Sequence, residues 1–160
     1  MNRMDTRTSA TTTDPDQAAE NFLSPDEKVR VKAAIRDAEM ATSGEIRVHL
    51  EDVCVEDVLD HAAFVFEELG MHRTRDRNGV IIYVSVIDHK VAVIGDAGIN
   101  AIVPEGFWTD VIGVLRLHFA AGRQADGLCE AAGMIGQKLK ARFPRKSDDS
   151  NELSDDISIR

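Results

Sequence analysis

Asn78-Gly79-Val80-Ile81-Ile82-Tyr83-Val84-Ser85-Val86-Ile87 is almost continuously apolar and β-branched after its Asn-Gly start. A strand covered on both faces has this composition, because neither side is left to water. The run is therefore expected mid-sheet. Asp88, His89 and Lys90 make a short polar turn into Val91 to Ile94, so the two strands read as an antiparallel hairpin, closed by Gly95, Asp96 and Gly98.

Upstream of the hairpin, Ile46, Val48 and Leu50 alternate with Glu45, Arg47, His49 and Glu51, the period of two of a strand with one well-covered face. Before it, Ser24, Pro25 and Glu27 form a capping box with proline at the first helical position. Val31, Ala34, Ile35 and Ala38 then make one apolar helical face that ends at Gly44. A second helix carries Val58, Ala62, Val65, Phe66 and Leu69 and stops at Gly70, and a basic loop with Arg73, Arg75 and Arg77 leads back to the central strand. Downstream, Phe107 to Phe119 and Leu128 to Leu139 read as two further amphipathic helices, the last ending before Pro144. Helices on both faces of a small mixed sheet predict an α/β fold, a three-layer αβα sandwich with about four strands.

The chain has 160 residues, 43% of them apolar, which suits one core rather than two. Residues 1–21 lack apolar periodicity and are expected to be a disordered N-terminal tail; residues 22–143 form the domain; residues 144–160 form an acidic segment. In that last segment Ile157 and Ile159 alternate with Ser158, so it reads either as a solvated tail or as an edge strand folding back. No stretch approaches the roughly 20 apolar residues of a transmembrane segment, and no signal peptide is evident, so a cytoplasmic protein is expected. Cys54 and Cys129 have no partner at metal-ligand spacing and read as packing residues. A net charge of -9 repels phosphate backbones and anionic lipid, which argues against nucleic acid as a partner and favours cations and basic protein surfaces. A monomer with an unidentified protein partner is expected.

Thr42-Ser43-Gly44-Glu45-Ile46, Asn78-Gly79 through Ser85, Gly95-Asp96-Ala97-Gly98-Ile99 and Phe119-Ala120-Ala121-Gly122, in this order, resemble the TPM-domain family over about residues 22–143. Phe22, the Leu69 to Arg73 stretch and the Asp149 to Ile159 ending resemble its bacterial stand-alone subgroup, in which the domain is the whole protein. The resemblance implies an αβα fold with four strands, divalent-cation binding in some members and a disputed phosphatase activity. Many relatives carry a signal peptide and a membrane helix, neither of which is expected here, so their roles at membranes are expected to transfer poorly.

If the first two strands run parallel and the third returns, Glu45, the Asp76 to Asn78 loop and Asp96 meet at one end of the sheet, where their oxygens suit Ca²⁺ or Mg²⁺. The competing reading pairs Glu45 with a loop arginine and makes Asp96 a cap of the next turn. The opposite end gathers Glu51, Asp52, Asp88 and His89, a place where open α/β sheets bind ligands and where hairpin turns also favour polar residues. Asp148, Asp149, Asn151 and Glu152 offer oxygens at the two-residue spacing of a calcium loop, without its central glycine or distant glutamate. The five histidines show no zinc spacing, and no serine or cysteine has a nucleophile's surroundings. Two functions follow: a Ca²⁺- or Mg²⁺-binding regulatory or interaction module, or a metal-dependent phosphatase in which Arg73 or Arg75 stabilises a phosphate.

Overall fold

The computed structural model describes residues 17–146 and 156–160. Ser24 caps helix α1 (Pro25–Glu39): its hydroxyl accepts from Glu27 N at 3.1 Å, while the Glu27 carboxylate accepts from Ser24 N at 2.8 Å. Strand β1 (Glu45–Glu51) follows, then α2 (Val58–Glu68), a turn of 3₁₀ helix at Met71–Arg73, and the hairpin β2 (Gly79–Ser85) and β3 (Lys90–Gly95). A one-turn helix α3 (Ala97–Asn100) leads to α4 (Phe107–Ala120) and α5 (Gln124–Arg142), and β4 (Ser158–Ile159) closes the order.

The sheet runs β3-β2-β1-β4. β1 is parallel to β2, with Glu45 opposite Gly79 and Glu51 opposite Ser85, and β2 is antiparallel to β3. β2 is buried along its whole length, as its unbroken apolar run predicts. Its even-numbered residues Val80, Ile82 and Val84 join Ile46, Val48 and Leu50 in the larger core under α1, α4 and α5. Ile81 and Tyr83 point the other way, into a smaller cluster with Ala62, Val65 and Phe66 of α2. The fold is therefore α/β, with helices on both faces of a four-stranded mixed sheet.

One boundary differs from the sequence reading, and one alternative it left open is decided. Residues 17–21, assigned to the tail by composition, are tied to the domain: Ala18 and Ala19 are buried, and Ala19 N donates to Asp52 at 2.7 Å. Two alanines and one backbone bond carry too little periodicity to register in a hydrophobic pattern. In the acidic segment, Ser158 and Ile159 pair in parallel with His49 and Leu50, adding a short edge strand beside β1. This strand helps to bury the polar face of β1, where only Arg47 is partly exposed.

Candidate functional site

The two ends of the parallel pair β1–β2 each gather acidic side chains, and they do so differently. At the amino end, β1 starts at Glu45 and β2 at Gly79, and β3 finishes opposite them at Gly95, so that Glu45, Asp76, Asn78 and Asp96 share one end of the sheet. The Asp76–Asn78 loop is tight: Arg77 has a left-handed φ of 53°, and Gly98 packs so closely beneath it that a Cβ would lie 2.3 Å from the Asp76 carbonyl oxygen. Gly98 N donates to the Arg77 carbonyl at 2.8 Å. Only glycine fits beneath this backbone.

Asp96 is 7% exposed, and both of its oxygens are bonded. Its two carboxylate oxygens accept from Arg77 Nε at 2.7 Å and Nη2 at 2.8 Å, and Oδ1 also caps α3 by accepting from Ala97 N at 2.7 Å. The carboxylate raises the Arg77 pKa further above its ordinary value. Asp96 therefore fixes the loop that carries Asp76. Asp76 is half-exposed; its Oδ2 accepts a weak bond from Ser43 Oγ at 3.5 Å and lies 3.6 Å from Arg75. Ser43 Oγ in turn accepts from Asn78 Nδ2 at 3.3 Å. Asn78 is 1% exposed, yet its Oδ1 takes no hydrogen bond from the described residues. A buried amide oxygen left without a donor costs on the order of 1–3 kcal/mol, so a group that supplied positive charge there would be bound favourably.

Glu45 is buried at the start of β1, with its backbone N donating to the Asn78 carbonyl. Asp148, Asp149, Asn151 and Glu152 lie outside the described residues. Among the described residues no group of three or more His, Cys, Asp or Glu is disposed to hold a metal ion. The side chains that do come together are those of Asp76, Ser43 and Asn78, the last joined to Ser43 through its Nδ2, and between them they carry carboxylate, hydroxyl and amide oxygens of the kinds hard cations accept.

At the carboxyl end of β1, Glu51 is 4% exposed and saturated. Its Oε1 accepts from Tyr83 OH at 2.6 Å and lies 2.8 Å from His61 Nε2; its Oε2 lies 2.9 Å from His49 Nε2 and 3.3 Å from Arg160. His49 Nδ1 meets Ser158 Oγ at 2.8 Å, and the Arg160 backbone N donates to the Leu50 carbonyl. With Nε2–H given to Glu51, the neutral ring leaves Nδ1 to accept the serine proton. Burial pushes the His49 pKa down, more than Glu51 lifts it. Burial alone would raise Glu51, but the bonds from Tyr83 and His49 hold it below the usual carboxylate value. Burial and the Glu51 carboxylate keep the Tyr83 phenol protonated far above its ordinary range. Asp52 accepts from Ala19 N and Asp88 from Cys54 N at 3.0 Å, so these acids brace backbone. The sequence placed Glu51 here but missed His49, His61 and Tyr83; the parity of β1 and β2 was the available signal, since Glu51, His49 and Tyr83 fall on one face.

Residues 16–138 match the TPM domain. The chain belongs to the TPM-domain family. It is similar to the BA42 protein of the psychrophilic bacterium Bizionia argentinensis, whose NMR structure is 43% identical, with a TM-score of 0.81 over 87% of this chain and 96% of that one. The N-terminal domain of a P. gingivalis protein, also solved by NMR, shares the fold alone: 20% identity and a TM-score of 0.63, over 76% of this chain and 79% of that one. None of the curated proteins compared with the chain matches it. No helix among the described residues is long and apolar enough to cross a membrane.

Proposed function

We propose that this TPM domain is a divalent-cation-binding module, taking Ca²⁺ or Mg²⁺ at the amino end of β1 and β2 and presenting the ordered loops to a protein partner. The observation that carries this reading is the buried Asn78 Oδ1 without a donor, linked through Ser43 to the half-exposed Asp76 carboxylate. Asp76, Asn78 and Ser43 would hold the ion, with Glu45 beside them and Asp148, Asp149, Asn151 and Glu152 as the source of further oxygens; a six- to eight-oxygen shell needs such additions and water. Asp96 acts through Arg77, by holding the loop. The chain's net charge of -9 adds a long-range attraction for cations.

Calorimetric titration with CaCl₂ and MgCl₂ tests the reading. Submillimolar binding that weakens at least about tenfold in Asp76→Asn is expected; equal affinity in the two proteins would refute it. An aryl phosphate assay on the same samples separates module from enzyme. Turnover that requires the cation and disappears in Asp76→Asn would favour the metal-dependent phosphatase, with Arg75, 3.6 Å from Asp76, as the phosphate-facing cation.

A further inference from the structure

At the far end of the sheet from the cation loops, a cavity of about 470 Å³ opens between the segment leading into α1, the β2–β3 turn and α4. That size is in the range of small-ligand pockets. Its walls are apolar: Val84 and Val91 come from the sheet, while the rings of Phe22 and Phe119 meet edge to face with centroids 5.3 Å apart. Its polar lining holds Ser85 and Gln124 and two basic side chains, with no acid among them. Arg116 and His89 both stand on it, and Gln124 begins α5, a helix whose amino end has no side-chain cap.

Arg116 is the informative residue. The chain has 28 acids against 19 lysines and arginines, and Arg30, Arg77, Arg123, Arg160, Lys28, Lys32 and Lys90 all pair with carboxylates. Like Arg36, Arg73, Lys140 and Arg142, Arg116 makes no ion pair and no side-chain hydrogen bond among the described residues, but Arg116 stands on the apolar cavity. The His89 ring has no side-chain partner among the described residues either, and its backbone adopts a left-handed φ of 57° at the turn. Two basic groups without acids border an apolar cavity beside the carboxyl end of β2, where sheets of this kind receive ligands.

We propose that this cavity binds a small organic anion with a flat apolar body. The body lies against Phe22, Phe119, Val84 and Val91, and the anionic group meets Arg116 and His89. A guanidinium suits a planar oxyanion because its N–H groups form a fork matching two oxygens. The site shares no residue with the cation loops, so each stands or falls separately.

Amide NMR titration with 2-naphthoate and with its neutral isostere 2-naphthamide tests this. Naphthoate is expected to shift amides in Val84 to Val91 and Arg116 to Gln124 saturably, binding at least about tenfold more tightly than naphthamide. In Arg116→Ala, an exposed position on α4 whose truncation leaves the core intact, that preference is expected to vanish. Equal binding of the two probes to the wild-type protein, a preference that survives in Arg116→Ala, or the absence of saturable shifts in these segments would each overturn the assignment.

Discussion

The two ends of β1 hold acids in opposite states. Around Glu51, side chains from β1, α2 and β2 and the Arg160 that follows β4 converge on one carboxylate, and both of its oxygens are occupied. Around Asp76, Arg77 is committed to Asp96, Arg75 stands 3.6 Å away, the remaining bonds are long, and a buried amide oxygen is left over among the described residues. A saturated carboxylate is a bolt, since a ligand could enter only by breaking bonds already made. An incompletely satisfied set of oxygens is where a cation gains most. Concentration of acids is thus a poor guide to a site; what matters is which of their bonds are already taken.

The largest effect should come from the saturated end. Glu51→Ala leaves Tyr83 and two histidines without their acceptor beside Arg160, and a loss of about 3–5 kcal/mol is expected in urea denaturation. A loss below about 1 kcal/mol would show that the network is ornamental and would erase the contrast. Next is Gly98→Ala, which drives a Cβ into the Asp76 and Arg77 carbonyls and should cost about 1–3 kcal/mol. It should also weaken cation binding, because the backbone it displaces carries Asp76. Asp76→Asn is expected to change stability by less than about 0.5 kcal/mol, since the side chain is half-exposed. Its effect falls on affinity instead, which is the signature that distinguishes a ligand from a bolt.

The smallest effect is on pH dependence, and it belongs to the Glu51 end alone. His49 faces Glu51, Tyr83 and His61 across the sheet, with Ser158 and Arg160 of the terminal segment beside it. Its folded pKa lies below the ordinary 6.5, so as pH falls through that value the unfolded chain takes up a proton that the folded chain refuses. Stability declines until the folded ring titrates. Glu51, depressed below 4.5, adds stability that is present above that value and lost as pH falls through its folded pKa. Urea midpoints should drop between about pH 7.5 and 5.5, and the drop should be smaller in His49→Gln.

Much of this arrangement was legible beforehand. The β-branched run at 80–87 marked the central strand, the Asp88-His89-Lys90 turn marked the hairpin, and the strand directions that follow put Glu45, Asp76 and Asp96 at one end. What could not be read was partnership. Both Arg77 and Arg75 were available to Asp96 in sequence, and only the left-handed backbone at Arg77 brings its fork onto that carboxylate. The polar face of β1 looked solvated because alternation reports polarity rather than burial; Tyr83, His61 and the edge strand cover it through contacts distant in sequence. Ser43 stood out only as part of a family motif, and its link to Asn78, 35 positions away, could not be read from it.

The central claim, that the incompletely satisfied end takes a cation and the saturated end does not, is tested most directly by amide NMR during a calcium titration of chelator-treated protein. Shifts confined to Ser43, Asp76 to Gly79 and Asp148 to Glu152, with His49, Glu51 and Tyr83 unmoved, are the predicted result. Shifts centred on Glu51, or no shift up to several millimolar calcium, about the weak end of calcium modules, would contradict it.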